Sequence, residues 1–98
     1  MIFAQRSITD AQGQKRKTYY ATESVGIATG VLITALHLSG LATLTHTPNP
    51  MRFLNQLLDR PDTDRPFLIL VAGYPSEKAQ VPKLDKHPLE DHTTFIGP

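Results

Sequence analysis

One 28-residue run, Glu23 to Pro50, constrains the fold of this chain more than any other stretch. It begins as a long apolar segment with glycines, continues into a short alternating segment and ends in a Thr-His-Thr-Pro turn. Its periodicity predicts a helix followed by a strand. This order places backbone N–H groups and hydroxyls at the end of a strand, where an anionic cofactor could bind.

The apolar segment predicts a helix from about Glu23 to Ser39, with Thr22 as its N-cap and Gly40 as a left-handed C-cap. Apolar residues cover most of its circumference, so such a helix is expected to be buried on nearly all sides. A narrower stripe consists of small or polar residues: Gly26, Gly30, Thr34 and His37. Because 98 residues offer too few partners to cover this helix, we expect it to be a core or dimerisation helix.

A membrane span is the alternative for the same segment. Residues Val25 to Leu44 have about the length of a span, with two glycines four residues apart. Against this, Gly40 ends the helix after about 15 residues, and threonine, histidine and serine dilute its apolar character. The globular interpretation is therefore favoured, and the single-span protein remains an alternative.

The amino-terminal 20 residues carry weaker patterns. Residues Met1 to Arg6 begin with Ile-Phe-Ala and are typical of the end of a strand. The polar stretch from Ser7 to Tyr20 predicts a loop, because it contains Gly13 and many charged residues. Its basic cluster, residues 15–17, is only three residues long, which favours a solvated loop over a binding patch.

After the long helix, Leu41 to Thr45 predicts a strand whose alternate residues point to opposite faces. Asn49 is placed to cap a second helix with Pro50 at its first position, and Asp59 follows its last apolar residue. The apolar face of this helix consists of Met51, Phe53, Leu54, Leu57 and Leu58.

A second strand and a tail complete the chain. Pro66 precedes an uninterrupted apolar run, Phe67 to Gly73, which is typical of a strand covered on both faces. From residue 74 to residue 98 the chain is rich in proline and scattered charge. We expect an extended tail that needs another body to lie on.

The composition of the chain argues against several kinds of binding and catalytic site. The chain has no cysteine, which excludes disulfides and thiolate sites, and its net charge of +1 gives no case for nucleic acid. Its four histidines have no metal-ligand spacing, so we expect no metal site. The Thr45-His46-Thr47 segment could bind an anion through N–H groups and hydroxyls, although an ordinary polar turn has the same composition.

Four stretches, in order and with matching gaps, carry a resemblance to a known family: ESVGIATG, ALHLSGLATLTHTPNPM, RPFLILVAGYP and VPKLDKHPL. Together they resemble the carboxyl half of the FMN-dependent nitroreductase family, in the branch of iodotyrosine deiodinase-like proteins. The likeness extends from Ile2 to about Ile96. Ordered agreement over that length is far more specific than one motif.

The resemblance implies an α+β fold, a sheet flanked by helices, that works as an intertwined homodimer with FMN at the interface. It implies an NADH- or NADPH-driven oxidoreductase that reduces a nitroaromatic, quinone or halophenol, with the flavin performing the difficult chemistry. We expect residues 1–98 to be the carboxyl-terminal portion of one such domain, with 74–98 as its tail. A cytoplasmic location is expected, consistent with the lack of cysteine.

The resemblance also assigns cofactor-binding residues. Thr45, His46 and Thr47 match the segment that passes the isoalloxazine ring, with Thr47 near flavin N5. Lys86 matches a cationic position that pairs with the FMN phosphate and usually holds arginine, so here the charge is kept and the bidentate fork is lost. His46 replaces what is often threonine, and Asp59 stands where a helix-ending glycine is common. The resemblance assigns no catalytic side chain.

The family's amino half carries an Arg-Ser-x-Arg-like motif that grips the FMN phosphate and ring edge, and this motif has no counterpart in the 98 residues. The resemblance therefore implies that the isolated chain is inactive. A truncated reading frame, a split gene or a fragment would each give this sequence. A non-catalytic remnant that only dimerises, or binds a full-length relative, is the alternative to an enzyme.

Overall fold

The computed structural model describes all 98 residues, and it combines two helices with antiparallel strands. In chain order the elements are β1 (Ile2–Gln5), β2 (Ser7–Thr9), β3 (Lys15–Lys17), α1 (Ala21–Leu38), β4 (Ala42–His46), α2 (Phe53–Leu57) and β5 (Asp64–Gly73), followed by a 3₁₀ turn (Leu89–Asp91). This mixture confirms the predicted α+β class.

The main sheet has three strands in the order β1-β5-β4, with both pairs antiparallel. The first half of β5 pairs with β1, where Phe3 lies opposite Pro66. Its second half pairs with β4, where Leu44 lies opposite Val71. The strand is therefore longer than the predicted Phe67–Gly73, and the outer edges of β1 and β4 have no neighbouring strand.

The polar stretch after Arg6 is a β-hairpin, so the loop prediction for it was wrong. Strands β2 and β3 pair antiparallel. The Asp10 carboxylate fixes the turn between them by accepting hydrogen bonds from the backbone N–H groups of Gln12 and Gln14, at 3.0 and 2.8 Å. Arg16 Nε adds a third bond at 2.9 Å. An Asp that binds backbone amides just ahead of it is the local feature that makes this turn.

Helix α1 begins two residues earlier than predicted and ends as predicted. Tyr20 occupies the N-cap with φ of 58° and makes no side-chain cap bond, so Thr22 lies inside the first turn and is not the cap. The N-cap prediction was wrong because the chain enters the helix through a left-handed residue. Gly40 has φ of 83° and donates its N–H to the His37 carbonyl at 3.0 Å, which confirms the glycine C-cap.

One face of α1 packs on the sheet. Thr29 is buried and satisfies its hydroxyl on the Val25 carbonyl at 2.7 Å, while Phe67 of β5 lies beneath Gly26. The opposite face is open, and Leu38 there is 81% exposed. The expectation of burial on nearly all sides therefore fails within this chain, because the sheet covers a single face and nothing packs on the other.

The sheet is also covered on one face only. Thr43 is the least exposed residue of β4, whereas Leu44 and its register partner Val71 are both exposed. The alternation predicted for β4 is present, but the apolar Leu44 lies on the open side. The prediction that β5 is covered on both faces was wrong for this chain, because no element lies over Leu44 and Val71.

Helix α2 is shorter than predicted and begins later. Arg52 is its N-cap, and the N–H of Leu54 bonds to the Met51 carbonyl at 3.0 Å, so Asn49 and Pro50 lie outside the helix. The N-cap prediction at Asn49 was wrong because Met51 supplies the first carbonyl acceptor. Asp59 follows the helix with φ of 50°, a conformation that glycine adopts more easily.

The buried core is small. Only Ala4, Leu54 and Leu68 are buried apolar side chains. From Tyr74 onward the chain forms no strand or α-helix and has no buried residue, as expected of a tail without a core, although it makes a turn at Ser76–Ala79 and the 3₁₀ turn. The radius of gyration is 18.3 Å, against roughly 13 Å for a compact domain of this length. These 98 residues therefore adopt an open arrangement with uncovered apolar faces.

Candidate functional site

The predicted flavin segment lies at the open end of strand β4. Thr45 and His46 are the last residues of that strand, opposite Leu70 and Ile69 of β5, and Thr47 follows outside it. All three side chains are exposed. Because β4 is an edge strand, alternate backbone N–H and C=O groups point away from the sheet. The segment thus offers two hydroxyls, an imidazole and backbone groups to a ligand.

The structure does not bring Lys86 to this segment. Lys86 lies in the extended tail, is exposed and takes part in none of the three ion pairs. No hydrogen bond links it to β4 or to the turn after it. The four predicted cofactor-binding residues therefore form one cluster of three and one separate cation.

This donor set fits one part of an FMN molecule. Hydroxyls and backbone groups at a strand end suit the polar edge of an isoalloxazine ring, which both donates and accepts hydrogen bonds. A phosphate dianion requires several charge-assisted bonds, and Lys86 is the one cation that the resemblance matches to it. The Thr45–Thr47 segment can therefore hydrogen-bond the polar edge of such a ring, and Lys86 makes no hydrogen bond to that segment.

A basic groove lies near the start of β5 and was missed by the sequence analysis. It consists of two adjoining cavities of about 420 and 440 Å³, lined mainly by charged and polar residues, which share Arg6 and Asp62. The first is also lined by Arg52, Asn55, Asp64, Arg65 and Pro66, and the second by Ser7, Lys15, Lys17 and Thr63. Its cations come from four separate segments of the chain, so no local sequence motif could have predicted the groove.

A second groove runs along the open face of α1. It has a volume of about 540 Å³ and is mostly apolar. Its lining consists of Gly26, Ile27, Gly30, Val31, Thr34, Ala35 and Leu38. Gly30 and Thr34 of the predicted small-residue stripe therefore lie on the uncovered side of the helix, whereas Gly26 lies at the edge of the groove against Phe67 and His37 does not line it. By length and composition alone α1 could also cross a membrane, a property that core helices of soluble proteins share.

The histidines do not assemble a metal centre. His87 and His92 approach each other edge to face, with ring centroids 5.5 Å apart, across the 3₁₀ turn of the tail. No group of three or more histidine, aspartate or glutamate side chains lies close enough together to hold a metal ion. His37 and His46 are exposed and lie on separate elements.

Comparison with known proteins gives close relatives, although no family model matches the chain. An iodotyrosine deiodinase from Haliscomenobacter hydrossis is 55% identical over 74 residues, which is 76% of this chain and 33% of that protein. Human iodotyrosine deiodinase 1 is 43% identical over 92% of this chain, and the Nematostella vectensis iodotyrosine deiodinase is 39% identical over 93%. The chain spans about a third of the length of these curated relatives.

The relatives are flavoprotein oxidoreductases, and the α+β content of this chain is consistent with part of such a fold. Within that class, the chain belongs to the nitroreductase family, in its iodotyrosine deiodinase branch, and resembles a carboxyl-terminal portion of such proteins. The relatives are enzymes, and FMN is the cofactor of the family. The family and the cofactor inferred from the sequence are thereby confirmed.

Proposed function

We propose that residues 1–98 are the carboxyl-terminal portion of one nitroreductase-like domain of an FMN-dependent oxidoreductase. The observation that carries this proposal is the Thr45–Thr47 segment, exposed at the free end of an edge strand beside an uncovered sheet face. Exposed apolar strand and helix faces are unusual on a finished protein and indicate a missing partner surface. The resemblance of the four sequence stretches, in order, to flavoenzymes is the reason for proposing FMN as the ligand.

In the proposed site, Thr45, His46 and Thr47 line the isoalloxazine ring, and Thr47 lies beside flavin N5. Lys86 reaches the phosphate once the tail is laid on the rest of the protein. FMN, when bound, supplies the electron transfer, and the residues of this chain bind and orient it. This portion contributes no catalytic side chain of its own.

The substrate we propose is a halogenated phenol, with NADH or NADPH as the source of electrons. This follows the names of the relatives, which are iodotyrosine deiodinases. Nitroaromatics and quinones are alternative acceptors for the same flavin, and the structure contains no pocket wall that selects among the three. Direct assay is needed to rank them.

We further propose that a second copy of the chain, the remaining part of the domain, or both cover the open face of α1. The groove with Gly30 at its floor would admit a closely packed helix, since glycine lets backbones approach. Helix α1 packs on three strands of this chain, which favours a globular, cytoplasmic protein over a single membrane span.

A non-catalytic remnant is the second candidate, favoured by two observations. The buried apolar core holds three side chains, and the chain has no Arg-Ser-x-Arg motif. Such a chain could still dimerise or bind a full-length relative through α1 without ever binding FMN. The two candidates differ in whether restoring the missing portion restores flavin binding.

The test joins this chain to the amino-terminal two thirds of the H. hydrossis relative, which gives what we call the completed protein. With FMN, a reductant and iodotyrosine, we expect iodide release, with a nitroaromatic and a quinone assayed in parallel. The intact relative serves as the positive control. A folded completed protein that binds no FMN, under conditions where the relative does, would favour the non-catalytic remnant.

A further inference from the structure

The basic groove concentrates the positive charge of the chain. Five of its ten lysines and arginines line the two cavities, together with two aspartates. Formal charge in the groove is thus five minus two, or +3, although the whole chain carries only +1. A concave surface with an excess of one sign of charge concentrates small ions of the opposite sign.

Most of this charge has no protein partner. Arg6, Arg65, Lys15 and Lys17 take part in no ion pair. Arg52 approaches Asp62 at 3.8 Å, a loose contact between two highly exposed side chains. Asp64 pairs instead with Arg60, which does not line the cavities, at 3.5 Å. The groove therefore keeps unpaired donors for a ligand.

Backbone pairing fixes the main-chain positions from which four of these side chains extend. Arg6 is fixed on both sides, since its N–H bonds to the Thr63 carbonyl at 2.8 Å and its carbonyl accepts the N–H of Thr18 at 3.0 Å. Arg65 lies in β5 opposite Ala4. Lys15 and Lys17 are two residues apart on β3 and so point to the same face, away from Arg16.

We propose that this groove binds a small molecule that carries a diphosphate group, at a site separate from the flavin. Each cavity has a volume within the range of small-ligand sites. Arg6 lines both cavities, so a diphosphate bound at their boundary beside Arg6 would face arginines of the first cavity and lysines of the second. Guanidinium groups bind phosphate oxygens in bidentate pairs, which gives the arginine side the stronger contact. The proposal does not depend on the flavin assignment.

The test titrates inorganic pyrophosphate into the 98-residue chain and into the completed protein, with backbone amide NMR shifts as the measurement. We expect shifts confined to residues 5–7, 15–17, 52–55 and 62–66. Arg6→Gln and Arg65→Gln should each weaken binding by roughly tenfold, as expected for loss of one charged hydrogen-bonding group. Lys78→Gln, which removes a tail lysine outside the groove, is the control and should change affinity less than about twofold.

Two comparisons make the result decisive. Inorganic phosphate should bind more weakly than pyrophosphate, and equal affinity would overturn the diphosphate assignment. FMN should not displace pyrophosphate from the completed protein, because displacement would make the groove part of the cofactor site. The proposal also fails if neither protein shows shifts at millimolar pyrophosphate, or if Lys78→Gln weakens binding as much as the arginine variants.

Discussion

The side-chain amide of Asn55 donates a hydrogen bond to the Asp64 carbonyl at 2.7 Å, and a second bond to the Pro61 carbonyl at 3.0 Å. Asn55 is 7% exposed and lies on α2, beside the fully buried Leu54. One amide thereby fixes the turn that leads from the helix into β5. This contact sets where the central strand begins and therefore the position of the basic groove beside it.

Asn55→Ala should lower the free energy of unfolding of the completed protein by about 1–3 kcal/mol, because the substitution leaves part-buried carbonyls without their donor. Urea denaturation is the measurement. Gln56→Ala is the matched control, since Gln56 is the next residue of the same helix and is exposed. Equal losses for both variants would show that the two hydrogen bonds contribute little.

The β2–β3 hairpin should respond to acid through Asp10. The hydrogen bond from the Gln14 amide lowers the pKa of the Asp10 carboxyl below its usual range. Burial opposes this shift to a smaller extent, and the hydrogen bonds from Arg16 and Gln12 add to it. A lowered folded-state pKa means that the ionised carboxylate stabilises the hairpin above the ordinary carboxyl pKa, and that this contribution is lost as pH falls through the folded value.

The amide shifts of Gln12 and Gln14, followed by NMR as the pH falls, measure this titration. Both should move with one common, depressed midpoint, and Asp10→Asn should abolish that step while the other carboxyl titrations persist. A midpoint at or above the ordinary carboxyl value would contradict the hydrogen bonds described for this turn.

Gly30→Leu should disrupt assembly without harming the fold of the individual chain. A side chain at position 30 meets no atom within 4 Å in this structure, and leucine favours a helix over glycine. Against a closely packed partner, the same side chain should cost roughly 1–3 kcal/mol of association free energy. Sedimentation and thermal melting of the completed protein test this. An unchanged oligomeric state and melting temperature would show that the α1 groove is not an assembly surface.

Two substitutions in the proposed flavin site should separate affinity from redox behaviour. Lys86→Ala should weaken FMN binding to the completed protein by on the order of tenfold, since a charged hydrogen bond contributes about 1.5 kcal/mol. Thr47→Ala should leave affinity closer to the parent value and shift the balance of one- and two-electron reduction, an effect that requires the Thr47 hydroxyl, and not only its backbone N–H, to meet flavin N5. Fluorescence titration and a reductive spectral titration measure the two effects. Identical behaviour of the variants would contradict the separate roles.

The elements with strong local signals were predictable from the sequence. The apolar run gave α1 and β4 to within two residues at each end, and Gly40 is the left-handed cap that its position indicates. The β2–β3 hairpin was not predicted, because its turn depends on one carboxylate, Asp10, that accepts hydrogen bonds from the amides of residues 12 and 14. The start of α1 was not predicted correctly, because Tyr20 has a positive φ, which bulky residues rarely adopt.

One part of the candidate site was likewise predictable from the sequence, and another part was not. The Thr45–Thr47 cluster could be located because it is contiguous at the end of a strand. The groove could not, since Arg6, Arg52 and Arg65 meet only after β1, α2 and β5 are packed together. The uncovered face of α1 follows from the chain having few partners for a helix that is apolar on most sides.

The central claim is that this chain supplies the ring-contacting side of an FMN site and not a whole one. It is tested most directly by titrating FMN, with visible absorbance and flavin fluorescence, into the 98-residue chain and into the completed protein. We expect weak or absent binding to the chain alone and stoichiometric binding to the completed protein. Tight, stoichiometric yellow flavin that copurifies with the 98-residue chain would contradict the claim, as would a folded completed protein that binds none.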